Sequence, residues 1–520
     1  MAELKAERQQ LRDEVNRLKG EHGAPKFKRK KSVTRQPLPG TEQPESTKDK
    51  AEESEPKKRK DRIKIDRQVK LTINPQDMPA DAVFKGYHYL IQQELRLVRD
   101  NVRYQLPVYY SAVEQRSYRA VLPDDYRGQY GYSLVGLTQL LSHFGDMTND
   151  RLLQLYHSLG IVISSATINN MQLDHGSWVL DERHDILKAG LATSPFQQMD
   201  ATRTFESGEV RNTQVVCGQH YKVFYTRKGR KRVDVISVLQ GLDGEQVKLC
   251  YNHVARHFLN KLPVAQPDRL SVGRLLEKGK VYGLTQLWSI LDKDARLAAA
   301  KPALRSKIND ALALGHYYSQ KDFALVDVLL SDGAKEYMMV ARRRQAVCWL
   351  HDIRDYRKMT PQLSAHRKIL DEFIDKLWQF YGRLKSYRQK NSVLAQVLRD
   401  DFDKLFGAPC DYRALAKRME RTLANKDRLL VRLDKPFVPL HNNSAERGMR
   451  RVVRKRDISL HTTSDRGTSI KDGFLSVVET ARKLNVNVLE YIDAKVRGLT
   501  IQYSLAELVI MKYQKPTLNL

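Results

Sequence analysis

Cysteine is scarce in this chain: four residues in 520, Cys217, Cys250, Cys348 and Cys410. No two lie close enough for a CxxC pair, so neither a zinc finger nor a disulfide framework is indicated, and reduced thiols are expected. Long apolar runs are also missing. No stretch approaches the roughly 18 apolar residues that would span a bilayer, and the opening MAELKAERQQLRDEVNRLKG has no apolar core of a secretory signal. No membrane partner is expected, and the expected location is cytoplasmic. Acid is short relative to base: 61 Asp and Glu against 90 Lys and Arg leave a net charge of +29. Such a field attracts polyanions, which makes nucleic acid the expected partner.

A chain this long outgrows a single core, so two to four domains are expected. Leu4, Leu11 and Leu18 recur every seven residues with Val15 between. They mark residues 1–21 as a short coiled-coil-like helix or a solvent helix. Residues 22–62, with KFKRKK and KDKAEESEPKKRKD, lack core anchors and read as a disordered basic linker. A mixed region, 63–190, follows. Ile65, Val69, Leu71 and Ile73 read as a strand, and Tyr104–Val121 as strand or hairpin. Tyr132–Phe144 reads as a helix. Thr148 or Asn149 then caps a helix to about Leu159, Gly160 breaks it, and Ser164 or Ser165 caps a second carrying Ile168 and Met171. That is a helix-turn-helix-like order, equally an ordinary helical hairpin.

From 191 to 495 the pattern is α/β. Ser194–Asp200 reads as a buried strand ending in an acid, followed by strands at Thr213–Cys217 and Tyr221–Tyr225, a basic turn, and a strand through Val233–Leu239. Phe323–Asp332 is a second apolar strand ending in an acid. Phe373, Leu377, Trp378, Tyr381, Leu384 and Tyr387 form a helical packing face. Glu446 opens a helix behind the potential caps Asn442, Asn443 and Ser444, Gly473–Leu489 is an amphipathic helix, and residues 496–520 form a tail or last helix. Asp200, Asp332 and Glu446 on separate elements could converge on a divalent ion. Magnesium prefers oxygen, and two such ions about 4 Å apart activate a nucleophile and stabilise the leaving oxygen in phosphodiester chemistry. Each acid taken alone reads first as a solvent-facing residue or a helix cap. His253 and His257, four apart without an HExxH context, are not read as ligands.

Particular motifs go further. His441–Ile492 resembles the C-terminal catalytic block of IS66-type bacterial transposases through Asn442-Asn443-Ser444-Ala445-Glu446-Arg447, Ser464-Asp465-Arg466-Gly467 and Glu479-Thr480-Ala481-Arg482. Gln198-Met199-Asp200-Ala201-Thr202 is similar to the block with the family's first catalytic Asp, although Ala201 stands where Glu is usual. Leu329–Tyr337 and Cys348–Met359 are similar to the second-Asp block and its W-x-H-x-x-R-x-Y continuation, and Gly145–Met171 to the region ahead of the first Asp. Asp332 is favoured over Asp243 because a strand precedes it.

The resemblance implies a DDE transposase with an RNase H-like core and helical insertions. Asp200, Asp332 and Glu446 would be its catalytic metal ligands, with two Mg2+ or Mn2+ ions. Its partners would be double-stranded DNA, as element ends and target, a further copy of the chain in a synaptic assembly, and accessory proteins of the element; it would be nucleoid-associated. Arg447, Arg450, Arg451, Arg454 and Lys455 crowd the start of the Glu446 helix, where some should meet DNA phosphates. His351 could steer the scissile phosphate. The alternative is a catalytically inactive or accessory DNA-binding protein of the same kind of element.

Overall fold

The computed structural model describes residues 65–73, 87, 89–95, 97–123, 126, 128–243, 246–459 and 462–514. The heptads and the basic linker lie outside them. The chain divides into two units, residues up to Leu97 and residues from Val98 onward. In the first, the expected Ile65–Ile73 strand does not form. Ile65, Val69, Leu71 and Ile73 are all exposed, and no described strand pairs with them; an apolar alternation without a partner ladder and a face to bury has nothing to hold it.

The second unit opens with the expected hairpin, β1 (Val108–Ser111) and β2 (Arg116–Arg119). Tyr132–His143 is helical, and two capped helices follow. Thr148 Oγ1 accepts from Arg151 N–H at the head of Asn149–Ser158, and Ser164 Oγ accepts from Thr167 N–H at the head of Ser165–Asp174. Gly160 between them has φ +73°, the left-handed conformation glycine tolerates. Ile168 and Met171 are buried.

The centre is a five-stranded sheet. Its strands are β3 (Gln197–Glu206), β4 (Glu209–Cys217), β5 (Lys222–Arg227), β8 (Val328–Ser331) and β9 (Arg344–Val347), in the order β5-β4-β3-β8-β9. Strands β3, β4 and β5 form an antiparallel meander, whereas β3–β8 and β8–β9 are parallel. A small separate pair, β6 (Leu249–Cys250) and β7 (Val281–Tyr282), lies in the helical segment between β5 and β8.

Side chains alternate across the sheet as period-two geometry requires. Met199, Val216, Val223, Tyr225 and Leu329 enter the main core, shared with helices Trp178–Thr193, Pro302–Ser319 and Asp465–Leu484. Val215, Cys217 and Phe224 face the other way and pack against Ala445, Met449 and Val452 of the Glu446 helix, Asn443–Ser459. Val328 and Leu330 join a neighbouring patch on that second side with Val431 and Val438. Backbone approach is close there: a Cβ on Gly448 would sit 3.2 Å from Lys222 Cδ and 3.3 Å from the Phe224 ring.

Between β9 and the Glu446 helix, residues 349–434 fold into a helical insertion with its own core. Trp349 is fully buried among Phe380, Tyr381, Phe402 and Phe406, and its indole N–H donates to Leu429 O at 2.7 Å. The expected aromatic stripe is this packing face, carried by helix Ser364–Ser386.

Further expectations are corrected. The strand expected over Phe323–Asp332 is confined to Val328–Ser331, with Asp332 just beyond it. Val233–Leu239 lies in a helix, Arg232–Leu239, started by Asp234 Oδ2 accepting from Lys231 N–H at 2.7 Å. Nearly every residue in it is buried, and a short apolar run buried all round carries no period to separate strand from helix. The amphipathic helix expected over Gly473–Leu489 instead spans Asp465–Leu484. Ser464 caps it by accepting from Gly467 N–H at 3.1 Å, and Asn485, at φ +58°, ends it. A separate helix, Val488–Arg497, follows, and the tail supplies Leu505–Gln514.

The Asp465–Leu484 helix also covers the free edge of the sheet. Lys222 and Phe224 N–H of β5 donate to Thr480 Oγ1 and Ser476 Oγ, at 3.1 and 2.9 Å, and Thr480 donates back to Lys222 O. One helical turn lower, Asp472 accepts from Thr226. Four helical residues rise about 6 Å and two strand residues about 6.6 Å, so side chains at every fourth helix position meet every second strand position. An edge otherwise open to strand addition is closed. Thr480→Val keeps the shape and removes the hydroxyl, leaving the Lys222 amide buried and unmet. The expected loss is about 1–3 kcal/mol in urea unfolding, with helix content unchanged by circular dichroism.

Candidate functional site

The parallel register sets the first part of the site. Gln197 pairs with Leu329 and Gln198 with Leu330. The same offset carried two residues further brings Asp200 level with Asp332, just past the end of β8. Asp200 is therefore not at the end of its own strand, as expected, but fourth of ten residues in β3; the sheet ends beside it because β8 is short. Beyond that point β3 runs on in its hairpin with β4. Past β8 the chain turns sharply. Asp332 Oδ1 accepts from Ala334 N–H at 2.9 Å, and Gly333 has φ +91°, with Val347 Cγ1 only 3.2 Å from where a Cβ would be. Asp332 is exposed and Asp200 half-buried.

Glu446 comes in from the second side of the sheet, in the first turn of its helix. A chain of hydrogen bonds ties the three acids' neighbours together. Cys348 N–H donates to Ser331 O at 2.9 Å, next to Asp332. Asn442 N–H donates to Cys348 Sγ at 3.3 Å, and Asn442 Nδ2 donates to Met199 O at 2.8 Å, next to Asp200. Asn442 is fully buried. Sequence reading takes it for a helix cap; the structure makes it the clamp between β3 and the Glu446 helix. The signal was an amide side chain just ahead of the acid, but a clamp and a cap use the same residue type.

Electrostatics reflects this gathering of acids. Burial raises the Asp200 carboxyl from 3.8 to about 6, and the charges of Asp332 and Glu446 push it the same way, against one hydrogen bond from Ala201 N–H. Tyr337, buried beside them, is raised by burial and then by Asp200 and Asp332. His351 Nδ1 lies 3.7 Å from Glu446 Oε1. Among the described residues, the group of ligand-type side chains close enough to hold one ion is Cys348, His351 and Glu446. Asp200 and Asp332 are not in it. The rival Asp243 sits elsewhere, paired with the buried guanidinium of Arg183 at 2.5 Å.

The basic cluster sorts by face. Arg447, Arg450 and Arg454 are exposed, at three- and four-residue steps that form one stripe. Arg451 turns inward, pairing with Asp146 at 3.0 Å and donating to His143 O and Phe144 O. Lys455 donates to Ser142 O at 2.5 Å, and burial lowers its ammonium to about 8. These two bind the Glu446 helix to the Tyr132–His143 helix. Sequence reading also passed over Lys483. Burial lowers it to about 8, and it donates to Gly218 O at 2.6 Å and to Ser444 Oγ at 3.1 Å, locking the start of the Glu446 helix to the β4–β5 turn. A cavity of about 490 Å³, lined by Asp146, Asn149, Gln172, Lys455 and Lys471 among others, lies beside these ties; none of the three acids lines it.

An acid whose folded-state value is raised costs the fold stability once it ionises. The stability is present below about pH 4 and is lost as pH rises from about 4 to about 6. In metal-free protein, Asp200→Asn removes this cost. The variant is expected to be more stable than wild type at pH 7.5, on the order of 2 kcal/mol, with the difference shrinking towards pH 4 in thermal unfolding followed by circular dichroism.

Residues 274–470 match the model of the Transposase IS66 family. That segment contains Asp332, His351, Glu446 and the arginine stripe, and begins after Asp200. The chain is also 26% identical over 327 residues to a protein described as uncharacterized protein y4jO, from Sinorhizobium fredii (strain NBRC 101917 / NGR234). The alignment covers 59% of this chain and 93% of that protein.

Proposed function

With residues 274–470 identified as IS66-type transposase sequence, we propose that the protein is a DDE transposase. Its reactions would be the cutting of element ends and the joining of their 3′-hydroxyls to target DNA, with Asp200, Asp332 and Glu446 as the catalytic acids. One observation carries the reading: the β3–β8 register brings Asp200 level with Asp332, while Asn442 ties the strand carrying Asp200 to the Glu446 helix. The strand order, an antiparallel meander followed by two parallel strands, supports reading the core as RNase H-like with a helical insertion.

The donor set fits magnesium or manganese. Three carboxylates offer hard oxygen ligands. The raised Asp200 and the buried, unpartnered Oε1 of Glu446 are negative groups for which a cation would compensate. Two bound ions would activate a water or 3′-hydroxyl and stabilise the leaving oxygen. The chain's own work is placement. The parallel register and Asn442 hold the acids, and Tyr337 and Cys348 are buried close enough to feel their charges. The stripe of Arg447, Arg450 and Arg454 lays a DNA backbone along the outer face of the Glu446 helix, contacts that position a duplex without reading bases. His351, beside Glu446, would steer the scissile phosphate.

The Asn149–Ser158 and Ser165–Asp174 pair is a second DNA-contacting candidate, although its second helix, SATINNMQLD, has no Lys or Arg. Two DNA ends must be held together, so the working form is an oligomer on double-stranded DNA. The alternative, an inactive or accessory DNA-binding relative, is favoured by one observation: the family match begins after Asp200.

Asp200→Ala, Asp332→Ala and Glu446→Ala separate the two. Each is expected to abolish magnesium-dependent cleavage and strand transfer of element-end DNA while leaving duplex binding intact; activity surviving in all three refutes the assignment. Replacing Arg447, Arg450 and Arg454 with Ala should flatten the dependence of log K on log salt by about 1 per arginine in fluorescence-anisotropy titrations. The same change to Arg451 should leave the salt slope unaltered.

A further inference from the structure

A second ligand set overlaps the acids. Cys348 Sγ, one nitrogen of His351 and a carboxylate oxygen of Glu446 lie within 4.8 Å of one another. His351 Nδ1 and Glu446 Oε1 face each other at 3.7 Å, too far for a hydrogen bond. Both atoms are buried, and neither has a hydrogen-bond partner among the described residues. Two inward-facing groups, one anionic, leave a gap that a cation between them would fill.

The third member suits the same occupant. Cys348 is fully buried and stands at the head of helix Trp349–Arg357. Its sulfur accepts from Asn442 N–H, and the backbone N–H groups of Leu350 and His351 also turn towards it. Burial raises the Cys348 thiol and these N–H groups oppose that effect, so the sulfur would give up its proton as it takes a cation. His351 follows three residues later, on the same face of that helix. The acidic cluster, all oxygen, suits magnesium; a thiolate and an imidazole select a softer ion.

We propose that Cys348, His351 and Glu446 form a binding site for one borderline divalent cation of the zinc class. Tetrahedral bonds of about 2.0–2.3 Å put ligand atoms roughly 3.4–3.8 Å apart. The His–Glu spacing of 3.7 Å is already close to this, and small rotations of the partly exposed His351 and Glu446 side chains would bring all three within reach. Three protein ligands leave the fourth position open to water or an anion. Ion binding is argued from these three residues alone. Its consequence rests on the proposed function: the ion takes hold of the carboxylate that Asp200 and Asp332 need, so zinc inhibits cleavage that magnesium supports, and a zinc chelator restores it.

The test is titration of the full-length protein with Co2+, read by absorbance. One Co2+ per chain is expected, with a thiolate-to-cobalt charge-transfer band in the near ultraviolet, tetrahedral bands in the visible, and displacement of both by Zn2+. Cys348→Ser should remove the charge-transfer band, and Cys410→Ser should leave it. His351→Ala and Glu446→Gln should each weaken Co2+ binding by about tenfold or more, the scale that even outer-shell partners contribute. Circular dichroism checks that each variant is folded. A wild-type protein without the band at saturating Co2+, or a band that persists in folded Cys348→Ser, overturns the site. Absorbance needs no DNA cleavage, so the two readings fail separately. Cobalt binding without transposition removes only the transposase; transposition without the band removes only this site.

Discussion

Everything at the centre of this molecule depends on two residue pairs of parallel register, Gln197 with Leu329 and Gln198 with Leu330. A slip of one residue would send every side chain of β8 to the opposite face. Leu329 would leave the main core and Leu330 its smaller patch, so burial on both sides of the sheet enforces the register. With the strands locked, Asp200 and Asp332 are carried to neighbouring positions. The stability of the core thereby turns into the placement of two charges that repel one another.

The third acid is held by different means. The Glu446 helix packs on the second face through Ala445, Met449 and Val452, and Gly448 permits its close approach to Phe224. Fine positioning comes from polar ties at its start, Asn442 to Met199 and Lys483 to Ser444, and further along from Arg451 to Asp146. Such ties are worth most when buried and fully met. They oppose the cost recorded in the raised Asp200 carboxyl. That cost falls on the empty protein, and the proposed cation centre would offset it; the exposed arginine stripe lies on the same helix as Glu446.

Local chemistry made much of this legible. The caps Thr148 and Ser164, the break at Gly160, the aromatic packing stripe and the strand ahead of Asp332 all follow from residue type and spacing. The motif pieces also gained physical meaning. Ser464 and Gly467 form a helix cap, while Thr480 and Glu479 hold the β5 edge through the Lys222 backbone and side chain. What stayed hidden depended on distant partners. Val233–Leu239 carries β-branched residues in a helix because burial all round outweighs propensity. Ile65–Ile73 alternates like a strand but pairs with no strand among the described residues. The roles of Asn442 and Lys483, and the sorting of Arg447 from Arg451, arise from contacts between residues hundreds apart, which no local pattern encodes.

The central claim is that Asp200, Asp332 and Glu446 share one cation-binding centre, whatever else Glu446 contacts. It can be tested by loading the protein with Fe2+ in place of Mg2+, adding ascorbate and peroxide, and mapping the backbone cuts made by hydroxyl radicals released at the bound ion. The account predicts cuts clustered at three separated points of the sequence, near residues 200, 332 and 446, all suppressed together by excess Mg2+. Cuts confined to the neighbourhood of residues 348 and 446, with none near 200, would contradict it.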